Sequence, residues 1–419
     1  MIKDAIRATM RGNGLPFGNG GLEPVGNPIR IAVAGLGPRG RYHAIPKCIA
    51  YPEYDLRAVC DLRPGLVKAA TESTRDAGHG EVSGYTDFGE MLEQEELDAV
   101  VLLVDVDKQV PLACRAMERG LHVMCEVPLT YSLGDCWDIV TTVEQTGRTF
   151  FMMEQCRYAG YVEAYRNVVR SGAVGKPVFA EGEYFHYLPA RFFQDDQGTL
   201  YFPQAFGENP KVKPTWRYVN PVIGYLPHDL SPLLYILDDR VTRVVGMANR
   251  KRSYKHPEME YCDTQTALMH TENDVVMRLA AGFSTVSLSR MEGEYGHWQH
   301  IKGTDGILEG PRKAGDSHTL YIPGWQMESG MDMPWGLQRL DAPPAAVGSG
   351  HGDLDFYVFA LFADAVLHDI PLEFDVYRAV ETAAPAILAA ESIEHENAPT
   401  DVPDFRPGPH RKPGEMPAS

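Results

Sequence analysis

The segment Ile29-Arg-Ile-Ala-Val-Ala-Gly35-Leu-Gly37-Pro-Arg39-Gly40 runs a short apolar stretch into three spaced glycines. Ile29 to Ala34, apolar and partly β-branched, predicts a buried strand, and Tyr42 to Ala50 has the periodicity of a helix. Gly-x-Gly-x-x-Gly is weak evidence alone, but between a strand and a helix it predicts a dinucleotide-binding turn. Gly35 permits the tight turn, Gly37 lets backbone approach a pyrophosphate, and Gly40 lets helix pack on strand. The pyrophosphate is expected at the helix N-terminus, where free N–H groups and the dipole favour negative charge. Arg39, inside the turn, is counted with the same cofactor-binding set. A second strand, Asp55 to Cys60, runs into Asp61, an acid placed to bind an adenosine ribose 2′-hydroxyl. An acid there repels a 2′-phosphate, so the expected cofactor is NAD rather than NADP.

Outward from this turn, apolar strands alternate with helices as far as residue 155. The helices are expected over Arg63 to Ala77, Phe88 to Glu96, Gln109 to Arg119 and Leu133 to Thr146. The strands are expected over Ala99 to Val104, His122 to Glu126 and Thr149 to Met153. That alternation predicts a Rossmann-type doubly wound parallel sheet covered on both faces. The second half changes character. A helix (Tyr161 to Arg170) and a strand (Pro177 to Tyr187) precede an irregular, aromatic-rich stretch, 189–224. A loop of that length is usually functional or disordered, and its aromatics (Phe192, Phe193, Tyr201, Phe202, Phe206, Trp216, Tyr218) predict an ordered binding wall. After a helix from Pro227 to Leu237, strands are expected over Val241 to Arg252, Thr264 to His270, Val275 to Ala280 and Thr285 to Met291. Successive strands predict an α+β domain with an open, largely antiparallel sheet. Helices from Leu354 to His368 and Val376 to His395 close it. The expected organisation is an arm (1–28), a nucleotide-binding domain (29–155), a substrate and oligomerisation domain (156–405) and a loose Pro-rich tail (406–419).

At 419 residues two domains are the natural expectation. The chain is acidic, with 57 Asp plus Glu against 39 Lys plus Arg, which argues against nucleic acid or an anionic membrane as a general partner. No apolar run approaches a membrane span, and Met1 to Met10 lacks a signal peptide's apolar core. Seven cysteines without Cys-x-x-Cys spacing, several inside apolar runs, predict reduced thiols of a cytoplasmic protein and no metal centre.

With Gly120-Leu-His-Val-Met-Cys-Glu126-Val127-Pro128 the chain resembles the Gfo/Idh/MocA superfamily of NAD(P)-dependent oxidoreductases, from Ile29 to about Phe405. Most members carry Glu-Lys-Pro there, the lysine handling the substrate hydroxyl proton; here Val127 stands in its place. The family's histidine in the preceding cofactor loop is also missing, with Gln109 near that position. Glu-Val-Pro resembles a subgroup, the NAD-dependent glycosidases such as the α-N-acetylgalactosaminidases of glycoside hydrolase family 109. Similar local patterns are Asp135-Cys-Trp137, Phe151-Met-Met-Glu154-Gln-Cys156, Tyr184-Phe-His186, Tyr225-Leu-Pro-His228, His351-Gly-Asp-Leu-Asp-Phe356 and Pro371-Leu-Glu-Phe-Asp-Val-Tyr377. The stretch 189–224 does not match. NAD-dependent sulfoquinovosidases on this fold accept an anionic sugar, and Arg191, Lys211, Lys213 and Arg217 could serve one. Each could equally be a solvated loop cation.

The resemblance implies hydrolysis through the cofactor: oxidation at C3, loss of the C2 proton, elimination of the aglycone from C1, addition of water and re-reduction. It places Glu126 beside the nicotinamide and Tyr184, His186, Tyr225 and His228 in the site. Tyr184 and His186, two apart on a strand, share a face; Tyr225 and His228, three apart at a helix start, converge. His228 is expected at the C3 hydroxyl and Tyr184 as the C2 base, with Asp229 either orienting His228 or capping the helix. Packing at an interface with satisfied polar tips is the competing reading of these four. Arg191, Trp216, Arg217 and Lys213 are the expected substrate contacts. His256, His297 and His300 lack metal spacing and read as surface or core, and His351, Asp353 and Asp355 are left without a role. A sugar dehydrogenase and a non-catalytic NAD-binding sugar sensor are the alternatives, and a homo-oligomer is expected by family habit.

Overall fold

The computed structural model describes residues 26–195, 198–285, 297–313, 315–323 and 330–417. Of the expected arm only residues 26–28 fall among them, and the strand expected from Thr285 to Met291 lies outside them after Thr285.

Two compact units share the chain. In the first, β1 (Ile29–Ala34), β2 (Tyr54–Cys60), β3 (Ser83–Tyr85), β4 (Ala99–Leu102), β5 (His122–Cys125) and β6 (Phe150–Met152) form one parallel sheet, ordered β3-β2-β1-β4-β5-β6. That is the doubly wound order, with the strand reversal at β1 and β4, where such sheets take nucleotides. β4 is buried along its whole length, and β1 everywhere except Arg30, as expected of strands covered on both faces.

Gly40–Ala44 is a π-helical turn that leads into α1 (Ile45–Ala50), where a single α-helix from Tyr42 is expected. The Ile45 N–H bonds the Gly40 carbonyl, and Pro46, with no N–H, cannot restore the tighter pattern beyond it. The other helices follow expectation closely: α2 (Pro64–Asp76), α3 (Phe88–Gln94), α4 (Val106–Glu118) and α5 (Leu133–Thr146). α5 starts at Ser132, whose side chain accepts from the Asp135 N–H, and stops at Gly147 with φ 63°.

Residues 342–380 and 405–417 also count with this unit. The tail is not loose. Trp137 and Phe405 rings lie 4.5 Å apart, and Arg411 is buried, donating to both Glu144 carboxylate oxygens at 2.7 and 2.9 Å. The Pro-rich composition hid a tail held by one buried ion pair.

The second unit comprises 156–341 and 381–404. α6 (Gly160–Arg170) precedes β7 (Pro177–Phe185). Within 189–224 lie β8 (Phe193–Gln194), β9 (Leu200–Tyr201), β10 (Lys213–Pro214) and α7 (Trp216–Val219). α8 (Pro227–Leu237), β11 (Val241–Ala248), β12 (Gln265–Thr271) and β13 (Val276–Gly282) match expectation within a few residues. β14 (His297–Gly303), β15 (Ile307–Glu309), β16 (His318–Tyr321) and β17 (Met331–Met333) are additional. α9 (Asp355–His368) belongs to the first unit; α10 (Val376–Glu394) and β18 (Thr400–Asp401) complete the elements.

The nine-stranded sheet runs β17-β16-β15-β14-β7-β13-β12-β11-β18, antiparallel except for the parallel pair β7 and β13. It leaves Val178, Met247, Leu268 and Val276 exposed on its strands. Among the described residues no helix is long and apolar enough to cross a membrane.

Candidate functional site

The nucleotide-binding turn has the shape its glycines predict. A Cβ on Gly35, at φ 94°, would strike the Leu103 carbonyl, and one on Gly40 would strike the Gly35 carbonyl. At Gly37 a Cβ meets nothing within 4 Å, so the backbone there faces open space. Asp61 accepts from the Leu36 N–H at 2.8 Å, from the Arg63 N–H at 2.9 Å and from Arg63 Nε at 3.0 Å. Burial alone would raise this carboxyl, but those hydrogen bonds outweigh it and hold it below the usual carboxylate range. An ionised Asp61 with unfilled lone pairs suits a ribose hydroxyl.

Arg39 joins two acids of this unit. Its Nε lies 2.9 Å from Glu126 Oε1 and its Nη1 3.5 Å from Asp355 Oδ2. The same Asp355 oxygen lies 3.4 Å from Lys47 Nζ and 3.6 Å from His43 Nδ1, and Oδ1 lies 2.8 Å from His351 Nδ1. Burial opposes ionisation of Asp355, but hydrogen bonds and charge from His351, His43 and Arg39 win and hold it far below the usual range. His351 arrives from a loop in which it and Asp353 take left-handed φ of 47° and 73°. Two histidines and an acid resemble a metal set, but Arg39 and Lys47 already crowd that carboxylate, and their charges oppose a further cation.

Gln109 is buried and donates to the Pro128 carbonyl at 2.8 Å, holding the loop that carries Glu126. Its Oε1 is buried without a partner among the described residues. Gln109 thus supports the cofactor loop and leaves one acceptor for a ligand amide. The open backbone at Gly37, the ionised Asp61 and this acceptor fit NAD.

In the second unit Tyr184 is the centre of a ring cluster. His186 stacks on it at 4.1 Å and 12°, His228 at 5.3 Å and 18°, Tyr225 at 5.3 Å and 23°. Tyr184 lies on β7 and His186 one residue past its end, where its N–H to the Gly282 carbonyl continues the strand alternation and keeps both on one face; the turn Val222–Tyr225 and the first turn of α8 deliver Tyr225 and His228. Trp216 stacks on Tyr225 at 5.6 Å, and the Arg217 guanidinium lies 4.3 Å from the Trp216 ring. Burial, with Tyr225 and Cys156 nearby, pushes the Tyr184 phenol well above its ordinary value, and Arg217 only partly opposes this. The resting phenol is therefore a donor.

His297 joins the cluster although its sequence reads as surface or core. It pairs directly opposite Tyr184 across β7 and β14, with ring centroids 5.2 Å apart. Asp229, fully buried, accepts from His297 Nδ1 at 3.1 Å and Gln299 Nε2 at 2.8 Å. Its place above Gly182, where a Cβ would come within 3.1 Å of the Asp229 Cβ, explains a glycine inside β7. Asp229 thus orients His297, a partner that no local spacing suggests. His256 bonds Tyr187 Oη at 3.1 Å, and His300 lies 2.8 Å from Glu309.

The expected substrate contacts divide. Trp216 and Arg217 adjoin the cluster, while Arg191 and Lys213 are exposed on the loop. The binding wall expected from the loop aromatics is mostly a small core: Phe192 and Phe193 are fully buried against Tyr261, Phe206 and Tyr218. Large apolar rings in a loop of few strands bury one another first.

The sheet order, glycine turn and paired acid define an NAD-binding oxidoreductase fold, and residues 29–154 match the family model described as oxidoreductase family, NAD-binding Rossmann fold. Residues 158–412 match the model described as glycosyl hydrolase 109, C-terminal domain. The chain belongs to glycosyl hydrolase family 109, within the Gfo/Idh/MocA superfamily. A glycosyl hydrolase family 109 protein of Saccharopolyspora erythraea is 26% identical over 91% of this chain and 84% of its own length. A Bacteroides fragilis protein named alpha-N-acetylgalactosaminidase is 24% identical over 92% and 93%. A scyllo-inositol dehydrogenase from Lactobacillus casei, solved with NAD(H) and scyllo-inositol, superposes with a TM-score of 0.65 at 16% identity, covering 90% of this chain and 99% of that one.

Proposed function

We propose that this protein hydrolyses a glycoside through transient oxidation of the sugar at C3, with no net turnover of NAD. The observation that carries the reading is the ring cluster of Tyr184, His186, Tyr225 and His228, in a chain whose lysine position is the buried Val127. Glycosidases that work through NAD are exceptions to the two-carboxylate scheme, so no acid pair is needed.

NAD, when bound, supplies a reversible hydride acceptor. In this reading His228 takes the proton of the C3 hydroxyl, leaving a ketone that acidifies the C2 proton. His186 removes that proton, a task that moves to it because burial keeps Tyr184 protonated. Tyr184 donates to the glycosidic oxygen as the aglycone leaves C1. Water adds to the unsaturated ketone, and return of the C2 and C3 hydrogens ends the cycle. Trp216 and Tyr225 offer stacked faces to the sugar, and Arg217 supplies a cation beside them. The relative's name puts N-acetylgalactosaminides in the substrate panel, and Arg217 adds anionic sugars. Homo-oligomerisation is part of this reading and is tested by light scattering.

The test incubates the protein with NAD and neutral and anionic α- and β-aryl glycosides in deuterated water. Aglycone release, deuterium at C2 of the freed sugar and no net NADH are expected. Net NADH with the glycoside intact makes the protein a sugar dehydrogenase. NAD binding with no reaction across the panel favours a sensor.

A further inference from the structure

Cys156 lies between two histidines of the cluster, its Sγ 3.9 Å from His228 Nδ1 and 3.7 Å from His297 Nε2. Both distances are within reach of a weak sulfur hydrogen bond. A thiol has one proton to donate and lone pairs to accept with. On the far side His297 presents Nδ1 to Asp229 Oδ2 at 3.1 Å. A carboxylate there fixes the proton on Nδ1 and leaves the Nε2 lone pair towards the sulfur. Asp229 is fully buried and Cys156 nearly so, at 3%. Among the described residues, Tyr161, Tyr184, His186 and Tyr225 are further titratable rings of this unit around the line.

We propose that His228, Cys156, His297 and Asp229 form a proton relay that holds the substrate hydroxyl proton between oxidation and re-reduction. The relay rests on the function proposed above. His228 Nε2 accepts the proton as the C3 O–H bond breaks, and His228 Nδ1–H passes its own proton to Cys156 Sγ. Cys156 S–H passes its proton to His297 Nε2. The C3–H bond breaks with its electron pair leaving to NAD, so an alcohol becomes a ketone and one proton resides on His297. The imidazolium sits against the Asp229 carboxylate, which offsets the burial of that charge. Re-reduction runs the same shifts backwards. A chain with Val127 in place of a lysine needs another proton store, and this one is built from residues of both sheet and helix. Cys156, His297 and Asp229 are positioning and relay residues, acting on substrate through His228.

The first measurement needs no substrate. The infrared S–H stretch of full-length protein, isolated by subtracting the Cys156→Ala spectrum, is expected broadened and lowered by donation to His297. Asp229→Asn is expected to shift it. A narrow band of an unbonded thiol, indifferent to Asp229→Asn, overturns the relay. In the second measurement the NAD-loaded protein is mixed with a cleaved glycoside. Cys156→Ala is expected to lower kcat about 100-fold, within the range of general acid–base catalysis, with KM little changed. Cys156→Ser restores it to within roughly tenfold by lending an O–H. Full kcat in Cys156→Ala overturns the relay alone. A thiol band that answers to Asp229→Asn, in a protein inert to every glycoside, overturns the glycosidase reading and with it the relay's task.

Discussion

The Asp61 carboxylate accepts a hydrogen bond from the Leu36 N–H at 2.8 Å, tying the end of β2 to the glycine turn after β1. The acid assigned to the ribose in our proposal therefore also holds the glycine turn. Asp61→Ala is expected to weaken NAD binding about 10- to 100-fold, the loss of one or two charge-assisted hydrogen bonds. Arg63, freed from its pairing at 3.0 Å, is expected to narrow the preference over NADP. Calorimetric titration with both dinucleotides measures this; unchanged NAD affinity rejects the assignment of Asp61.

Tyr184 stacks on His186 at 4.1 Å, so Tyr184→Phe keeps the stack and removes only the hydroxyl. As the donor to the leaving oxygen, its loss is expected to cost roughly 10²-fold or more with poor leaving groups. With an activated nitrophenyl leaving group the effect is expected to be small. Rates across a series of aryl glycosides of graded leaving-group pKa test this, and an effect independent of the leaving group contradicts the donor role.

The C-terminal tail is a structural clamp. Glu144 takes both Nη atoms of Arg411 and the Tyr377 hydroxyl at 2.6 Å, and the two side chains of the ion pair are 0% and 5% exposed. Removing one partner leaves the other uncompensated, so Arg411→Ala is expected to destabilise by about 3–5 kcal/mol. Truncation after Arg406 is expected to act in the same direction. Urea unfolding of both against wild type decides; wild-type midpoints reject the clamp.

His318 is buried, stacked on Tyr161 at 4.7 Å and 3.0 Å from Tyr165 Oη, and burial pulls its pKa down from 6.5 to about 4. Its folded-state pKa lies below the unfolded one, so the unfolded chain binds the extra proton between those values. Stability is complete above pH 6.5 and falls as pH drops towards 4, by up to about 3 kcal/mol from this group. His318→Gln is expected to flatten that part of the profile. Denaturant midpoints at pH 7.5, 6 and 4.5 — values chosen to bracket roughly the window of an ordinary imidazole — make the comparison, and parallel profiles reject it.

Local signals located much of this molecule. Ser132 and Gly147 set both ends of α5, and Pro227 starts α8, because caps act within a few residues. Tyr184 with His186 and Tyr225 with His228 were legible as pairs, since strand and helix periods fix which side chains share a face. His297 was not. Its strand, His-Trp-Gln-His-Ile-Lys-Gly, carries no alternation, and its burial comes from pairing with β7. Asp229 was legible only as the neighbour of His228, orienting it or capping the helix, whereas its partner His297 lies 68 residues away.

By itself the sequence determined the nucleotide-binding turn, the preference for NAD and the family, because each rests on residues close together in the chain. Tertiary structure alone decided that His297 faces Tyr184, that Cys156 lies near a histidine 141 residues away, and that Arg411 closes on Glu144. Those are contacts of strand register and packing, whose energy comes from burying partners distant in the chain, and no local pattern encodes them.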